Sequence, residues 1–169
     1  MGATRERALM RPLDPADHLR RPWRVHALAR AEGLSLHDVW EVDMELPPGA
    51  TLDAWAKAFR REQLGGLARA LFGLRRLLGR VFGWDRGGSG GFVPVYAEAE
   101  EQLQRIENRT VTGYLHLSLA ARRPRPAVYV RPRGRFGRAY LAGIEPFRRL
   151  VVYPQLLAAG RRAARALSP

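Results

Sequence analysis

The first regular alternation along the chain lies in "LSLHDVWEVDMEL", Leu34 to Leu46. Leu36, Trp40, Val42, Met44 and Leu46 fall on one parity, and His37, Glu41, Asp43 and Glu45 on the other. Side chains two apart share a face of an extended strand, so this pattern predicts a half-buried strand. "PPG" at Pro47 to Gly49 ends it, and "TLDAWAKAFRRE" follows as a short helix with Thr51 at its N-cap and Asp53 in its first turn. In the next segment, "GLARALFGLRRLLGRVFGW", Leu67, Leu71, Leu74, Leu77, Leu78 and Val81 share a helical face opposite Arg69, Arg76 and Arg80. Such a wheel fits a surface helix packed on a core better than one lying on a membrane. "GWDRGGSGG", Gly83 to Gly91, is a loop too short to link domains.

Beyond the loop, "FVPVYA" reads as a strand and "EAEEQLQRIE" as a helical turn or strand edge. "NRTVTGYLHLSL" alternates again, with Val111, Leu115, Leu117 and Leu119 on one face and Thr110, Thr112, Tyr114, His116 and Ser118 on the other. "RRPRP" predicts a turn that confines its prolines to a loop, and "AVYVRP" a further strand. The C-terminal stretch "PRGRFGRAYLAGIEPFRRLVVYPQLL" reads as a long helix entered through Gly134 and Gly137. Tyr140, Ile144, Phe147 and Val151 form its inner sector, and Arg138, Glu145 and Arg149 lie on the outer side. Pro146 and Pro154 are expected to kink it, leaving space beneath a bent wall. Residues 1–22 carry no clear periodicity and read as an irregular lead-in, with 23–167 as a single domain. Strand, helices, several antiparallel strands and a terminal helix together predict an α+β fold with helices on an antiparallel sheet.

Composition changes this picture little. A chain of 169 residues can hide roughly 70% of its unfolded surface in one core. No apolar run approaches the ~20 residues of a membrane span, and the polar, arginine-bearing start shows no secretory h-region, so a cytoplasmic protein is expected. Cysteine is absent, which removes disulfides and thiolate chemistry. The net charge of +13 first points to nucleic acid or anionic lipid. Every basic residue except Lys57 is arginine, however, scattered beside abundant Ala, Gly, Leu and Pro, as GC-rich codons produce without selection for binding. Aromatics are not interleaved with the arginines in an RNA-reading pattern, so nucleic acid and membrane are both disfavoured as partners.

The most informative single residue is Asp38, which the alternation turns inward with Leu36, Trp40 and Val42. An ionised carboxylate there requires a partner, and Arg109, Arg131 and the Tyr129 hydroxyl are candidates on later strands. It reads either as a polar anchor or general acid/base in an apolar pocket, or as a fold-holding ion pair. His18, His26, His37 and His116 show no metal-ligand spacing, so no metal site is expected, and His116 reads as a surface or second-layer residue. No G-x-S-x-G, phosphate-loop or G-x-G-x-x-G motif is present, and no cofactor is expected.

Taken together, "LHDVWEVDM", "LFGLRRLLGRVFGWD", "PVYAEAEEQLQRIENRTVTGYLHLSL" and "AVYVRPRGRFGRAYLAGIEPFRRLVVYP" resemble the bacterial domain-of-unknown-function family 2867, from about Trp23 to Pro154. The resemblance extends to the START-like, helix-grip (SRPBCC) superfamily. It implies a curved antiparallel sheet around the long, proline-kinked C-terminal helix, with an apolar cavity between them. Superfamily relatives bind lipids, hormones or polyketides, or act as aromatases, cyclases or hydrolases. The expected partner is therefore a small hydrophobic or aromatic molecule held near Asp38, Trp40, Arg109, Tyr129, Arg131, Tyr140, Ile144, Phe147 and Val151. An enzyme using Asp38 as a cyclase, dehydratase or isomerase is the alternative, and arginine-driven association with nucleic acid or membrane a further one.

Overall fold

The computed structural model describes residues 11–63, 92–107, 110–147 and 153–167. The amphipathic stretch around Leu67–Val81 and the glycine loop at Gly83–Gly91 lie outside them, as do Arg109 and Val151. In chain order the elements are β1 (Arg11–Pro12), α1 (Pro15–Leu19), α2 (Arg24–Ala31), β2 (Ser35–Glu41), α3 (Leu52–Gln63), β3 (Val93–Ala97), β4 (Glu101–Glu107), β5 (Val111–Ala120), β6 (Arg123–Pro132), α4 (Gly134–Phe147) and α5 (Tyr153–Arg165). This is an α+β fold, as the pattern predicts. The two-residue strand β1 and the short helix α1 lie within the region expected to be irregular. Asp14 caps α1 by accepting from the Ala16 N–H at 2.9 Å, with Pro15 opening the helix.

All strand pairs are antiparallel and form one sheet in the order β1-β2-β6-β5-β4-β3. The four strands β3 to β6 run as a meander, and the last of them returns to pair with β2. The "EAEEQLQRIE" segment is strand β4 along most of its length rather than a helical turn. The β5–β6 turn is made by Ala121 and Arg122, both in the left-handed region at φ 48° and 63°, as a two-residue hairpin requires. Arg122 offsets part of that strain by donating from Nε to the Leu46 carbonyl at 3.1 Å.

Pro124 and Pro126 lie inside β6 rather than in a loop, opposite Leu119 and Leu117. Proline cannot donate to a ladder, and the regular pairing of β2 with β6 ends at Val39↔Ala127, just before Pro126. Beyond that point the chain after β2 returns to this strand at single backbone bonds, the Val42 N–H to the Pro124 carbonyl at 2.9 Å and the Leu46 N–H to the Arg122 carbonyl at 2.8 Å. The prolines thus sit where the regular β2–β6 ladder has ended, while Trp40 and Glu41 still pair with β1.

Helices cover both faces. On one, α3 and α5 pack over Trp40, Val42, Leu46 and Leu117, with Leu115, Leu119 and Val128 at the edge of the cluster. Thr51 caps α3 as expected, accepting from the Ala54 N–H at 3.2 Å. Ala159, Gly160, Ala163 and Ala164 make the inner stripe of α5, and these small residues let α3 approach closely. Trp55 stacks on Phe59 with centroids 4.8 Å apart and donates its indole N–H to the Gly160 carbonyl at 3.2 Å. On the opposite face, α1 and α2 cover Val39, Leu103, Tyr114, Ala127 and Tyr129. The alternation of β5 holds, but its polar side is not solvated: Thr112, His116 and Ser118 are each 0% exposed. A strand between two helical layers must bury both faces, and here one of them is polar.

The C-terminal region is helical over α4 and α5, and 148–152 between them lie outside the described residues. Pro146 is the penultimate residue of α4. Pro154 is the second residue of α5. Gly134, at φ +66°, turns the chain from β6 into α4. Gly137 is needed for a different reason: a Cβ there would lie 2.2 Å from the Thr110 carbonyl oxygen. Among the described residues, no helix is long and apolar enough to cross a membrane.

Candidate functional site

The site around Asp38 depends on one irregularity in β2. Leu36 pairs with Tyr129 and Asp38 with Val128, so His37 is an extra residue in the strand. The bulge breaks the expected alternation. Leu36 joins Val39 on the α1–α2 face, whereas Trp40 and Val42 belong to the α3–α5 cluster. Asp38 goes with Trp40, as predicted, but without Leu36. Its side chain is 17% exposed and accepts a short hydrogen bond from the Tyr153 hydroxyl at the start of α5. The Tyr153 ring lies against Trp40, with centroids 4.5 Å apart. His37 Nε2 stands 3.8 Å from the nearer Asp38 oxygen and 3.6 Å from a Glu145 carboxylate oxygen on α4. Two carboxylates, an imidazole and a phenol thus meet at a partly open seam between β2, α4 and α5. A carboxylate held by a hydroxyl beside two aromatic rings can anchor a donor group at the end of an apolar molecule, or exchange a proton with it.

The residues grouped from the sequence do not all gather there. Asp38 and Trp40 share the seam. The hydroxyl that holds Asp38 belongs to Tyr153, whereas Tyr129 is on the other face of the sheet. Arg131 is exposed and donates to the Glu32 carbonyl, tying the end of α2 to β6 instead of reaching Asp38. Tyr140 is half-buried on α4, and Ile144 and Phe147 lie on the same helix with side chains outside the description. Arg109 and Val151 are likewise outside it. Tyr153, His37 and Glu145 were missed. A proline just after a tyrosine marks a helix start, but nothing in that spacing tells which strand the tyrosine meets.

The second constellation, between the sheet and α1–α2, is polar and closed. Tyr129 Oη lies 3.0 Å from His18 Nε2 and 2.9 Å from His26 Nδ1. Its single O–H can donate to only one neutral ring, so the other ring must donate to it. The His18 ring is 5.4 Å from that of His26 and 5.3 Å from that of His116, and Trp23 borders His116 at 5.8 Å. Glu101 closes the cluster. Its carboxylate accepts the first backbone N–H groups of α2, from Arg24 at 3.1 Å and Val25 at 3.0 Å, and the Tyr96 hydroxyl. His116 Nε2 lies 3.1 Å from Glu101 Oε1, off the line of a good hydrogen bond. Three histidines distant in sequence therefore converge, and His116 is interior rather than a surface residue. Among the described residues, no group of three or more His, Asp or Glu is arranged to hold a metal.

Burial sets the electrostatics of this cluster. It pulls His18 down to about 3, with neighbouring His116 and His26 adding to the effect. His116 is lowered by burial against the pull of Glu101, and His26 by burial against the carbonyls of His18 and Arg21. Burial alone would raise Glu101, but His116, Tyr96 and the two α2 amides hold it down at about 2. Tyr129 is raised by burial and by the Glu101 charge. At the other end of α2, Glu32 accepts from the Tyr114 hydroxyl at 2.5 Å and from Arg105 at 3.4 Å. Burial, then Glu32, pushes Tyr114 up to about 12.

An antiparallel sheet with helices on both faces and a carboxylate–phenol pair at one seam defines a small α+β domain without a recognised catalytic triad or metal centre among its described residues. The chain belongs to DUF2867, a family of proteins of unknown function, whose model matches residues 30–155. That span includes β2 with its bulge, the whole meander, and the Asp38–Tyr153 pair. No curated protein and no solved structure matches the chain.

Proposed function

We propose that the protein binds a small, mostly apolar or aromatic molecule where β2 meets α4 and α5, with Asp38 and Tyr153 as its polar contact and Trp40 as part of its wall. The observation that carries this reading is the Tyr153–Asp38 hydrogen bond, partly open to solvent beside Trp40 and the apolar cluster under α5. The likeness to helix-grip proteins supports it, and so does the strand order, in which the first long strand pairs with the last and the C-terminal helices follow. The region beneath α5 itself is filled by Trp55, Phe59 and the small-residue stripe, so the ligand belongs beside α4 rather than under α5. The test is native purification with mass spectrometry of extracted small molecules, followed by titration with an apolar fluorophore such as anilinonaphthalene sulfonate. A stoichiometric compound, or fluorophore binding that weakens about tenfold in Trp40→Ala and in Asp38→Asn, supports the reading. Absence of both in the folded wild type rejects it.

A second reading has its own observation. His37 stands between the carboxylates of Asp38 and Glu145, an arrangement suited to proton transfer in an isomerase, cyclase or dehydratase. With a turnover substrate identified, Asp38→Asn should lower kcat by about 100-fold or more while leaving KM within a few-fold. Turnover unchanged in that variant removes Asp38 as the acid/base.

A further inference from the structure

The buried histidine cluster lies outside the seam assigned to ligand, and it joins five elements through groups that carry protons. We propose that His18, His26 and His116, tied together by Tyr129 and Glu101, form an acid-released latch that holds the α1–α2 pair on the sheet at neutral pH and frees it as pH falls. The geometry supplies the mechanism. His18 comes from α1, His26 from α2, His116 from β5, Tyr129 from β6 and Glu101 from β4, so the helices are joined to the sheet through these groups as well as through the apolar contacts of Val25 and Ala29. The neutral state keeps charge off the rings. One ring donates to Tyr129, the other accepts from it, and the single carboxylate is stabilised by two helix amides, a hydroxyl and His116.

Protonation adds charge and further unpartnered donors. His18 Nδ1, His26 Nε2 and His116 Nδ1 are buried without a protein hydrogen-bond partner, so the ring that accepts from Tyr129 already carries an N–H with no acceptor, and a proton on a further ring nitrogen adds to that cost. A first proton can be balanced by Glu101, beside His116. A second would place two imidazolium rings about 5 Å apart with one carboxylate between them, a like-charge contact that a water-poor interior screens weakly. The other charged and titratable groups facing the cluster do not relieve this. Arg125 on β6 adds positive charge but is engaged by Glu41 of β2. Arg24 of α2 reaches Glu98 and lies over the Tyr96 ring. Arg30 of α2 adds further positive charge, and Tyr96 and Tyr114 are held neutral by burial. Once α1–α2 lifts, each ring is hydrated and takes its proton near the ordinary histidine value. Acid therefore favours the open form by up to about tenfold per pH unit for each ring that is neutral only when closed. For His18, moved from 6.5 to about 3, that is about a 25-fold gain in the open population between pH 7 and pH 5.

The test is amide hydrogen exchange on the full chain at pH 7 and pH 5, corrected for intrinsic exchange rates, with histidine ring protonation followed by NMR over the same range. The expected result is a loss of protection in residues 15–31 at least tenfold greater than in α3 and α5, with ring titration coinciding with that loss. His18→Gln and His116→Gln keep a neutral polar side chain and should each blunt the acid response while leaving protection at pH 7 within a few-fold. If either variant does not fold, the wild-type comparison decides alone. Protection lost in parallel across both helical layers, or rings that titrate near pH 6.5 while α1–α2 stays protected, overturns the proposal.

Discussion

The two faces of the sheet bury comparable elements by opposite means. Under α3 and α5 the core is Trp40, Val42, Leu46, Trp55, Phe59 and Leu117, joined to α5 through alanines and a glycine, and its hold on the sheet is volume and apolar area. Under α1 and α2 the contact layer includes three histidines, a glutamate and a tyrosine, and its hold combines buried hydrogen bonds with the apolar contacts of Val25, Ala29 and Leu103. The first kind of packing is insensitive to pH and sensitive to shape. The second reverses both properties, because a proton changes its balance more than a methylene does. One sheet can thus carry a fixed layer and a conditional one.

The sharpest way to break the comparison is at Trp55. It is 0% exposed and its indole ties α3 to α5. Trp55→Ala is expected to cost about 3–5 kcal/mol in urea unfolding, with no change in the pH dependence of stability. An altered acid response in that variant would show that the two faces are coupled. Next is Glu101→Ala, which strands the Arg24 and Val25 amides and the Tyr96 hydroxyl and should cost about 2–3 kcal/mol at pH 7. Here the acid response should also change, since the carboxylate that balances a first proton is gone.

For the wild type, the expected acid effect follows from His18. Folded, it binds its proton only near pH 3; unfolded, near 6.5. Between those values the unfolded chain holds more protons, so stability is fully present above about 6.5 and falls as pH drops through the window. The slope is up to about 1.4 kcal/mol per pH unit, or roughly 2 kcal/mol between pH 7 and 5, read from unfolding midpoints. Glu101, held at about 2, adds its own loss only below pH 4.5. Smallest is Tyr153→Phe, which removes the donor to Asp38 at a partly open seam. It should cost about 1 kcal/mol in the same assay, with a larger effect on fluorophore binding.

The sequence made the α3–α5 side legible and left the other side nearly invisible. Apolar periodicity marks Trp40, Val42, Leu115, Leu117 and Leu119, and the Thr51 cap marks where α3 begins. On the other side β5 contributes Thr112, His116 and Ser118 to the buried face, and their polarity reads as solvent exposure until the helices that cover them are known. α1 and α2 are short and rich in arginine and histidine, so neither offers a clean apolar stripe. The prolines of β6 mislead in the same way. Their cost depends on whether a neighbouring strand needs the missing N–H, and β2 has stopped pairing by then. At the seam, Asp38 stood out because a carboxylate interrupts an apolar parity. Its partner did not, because pairing across 115 residues depends on a register that local spacing does not encode.

The bulge at His37 also has an evolutionary reading. Because Leu36 and Asp38 face opposite sides, deleting His37 would restore an unbroken pleat without moving either neighbour to a different face. The strand can gain or lose this residue in a single event while its core contacts persist. A variant without this residue would keep the aspartate and the tyrosine on their faces but lack the imidazole beside them, giving a comparison between an anchor alone and an anchor with a proton carrier.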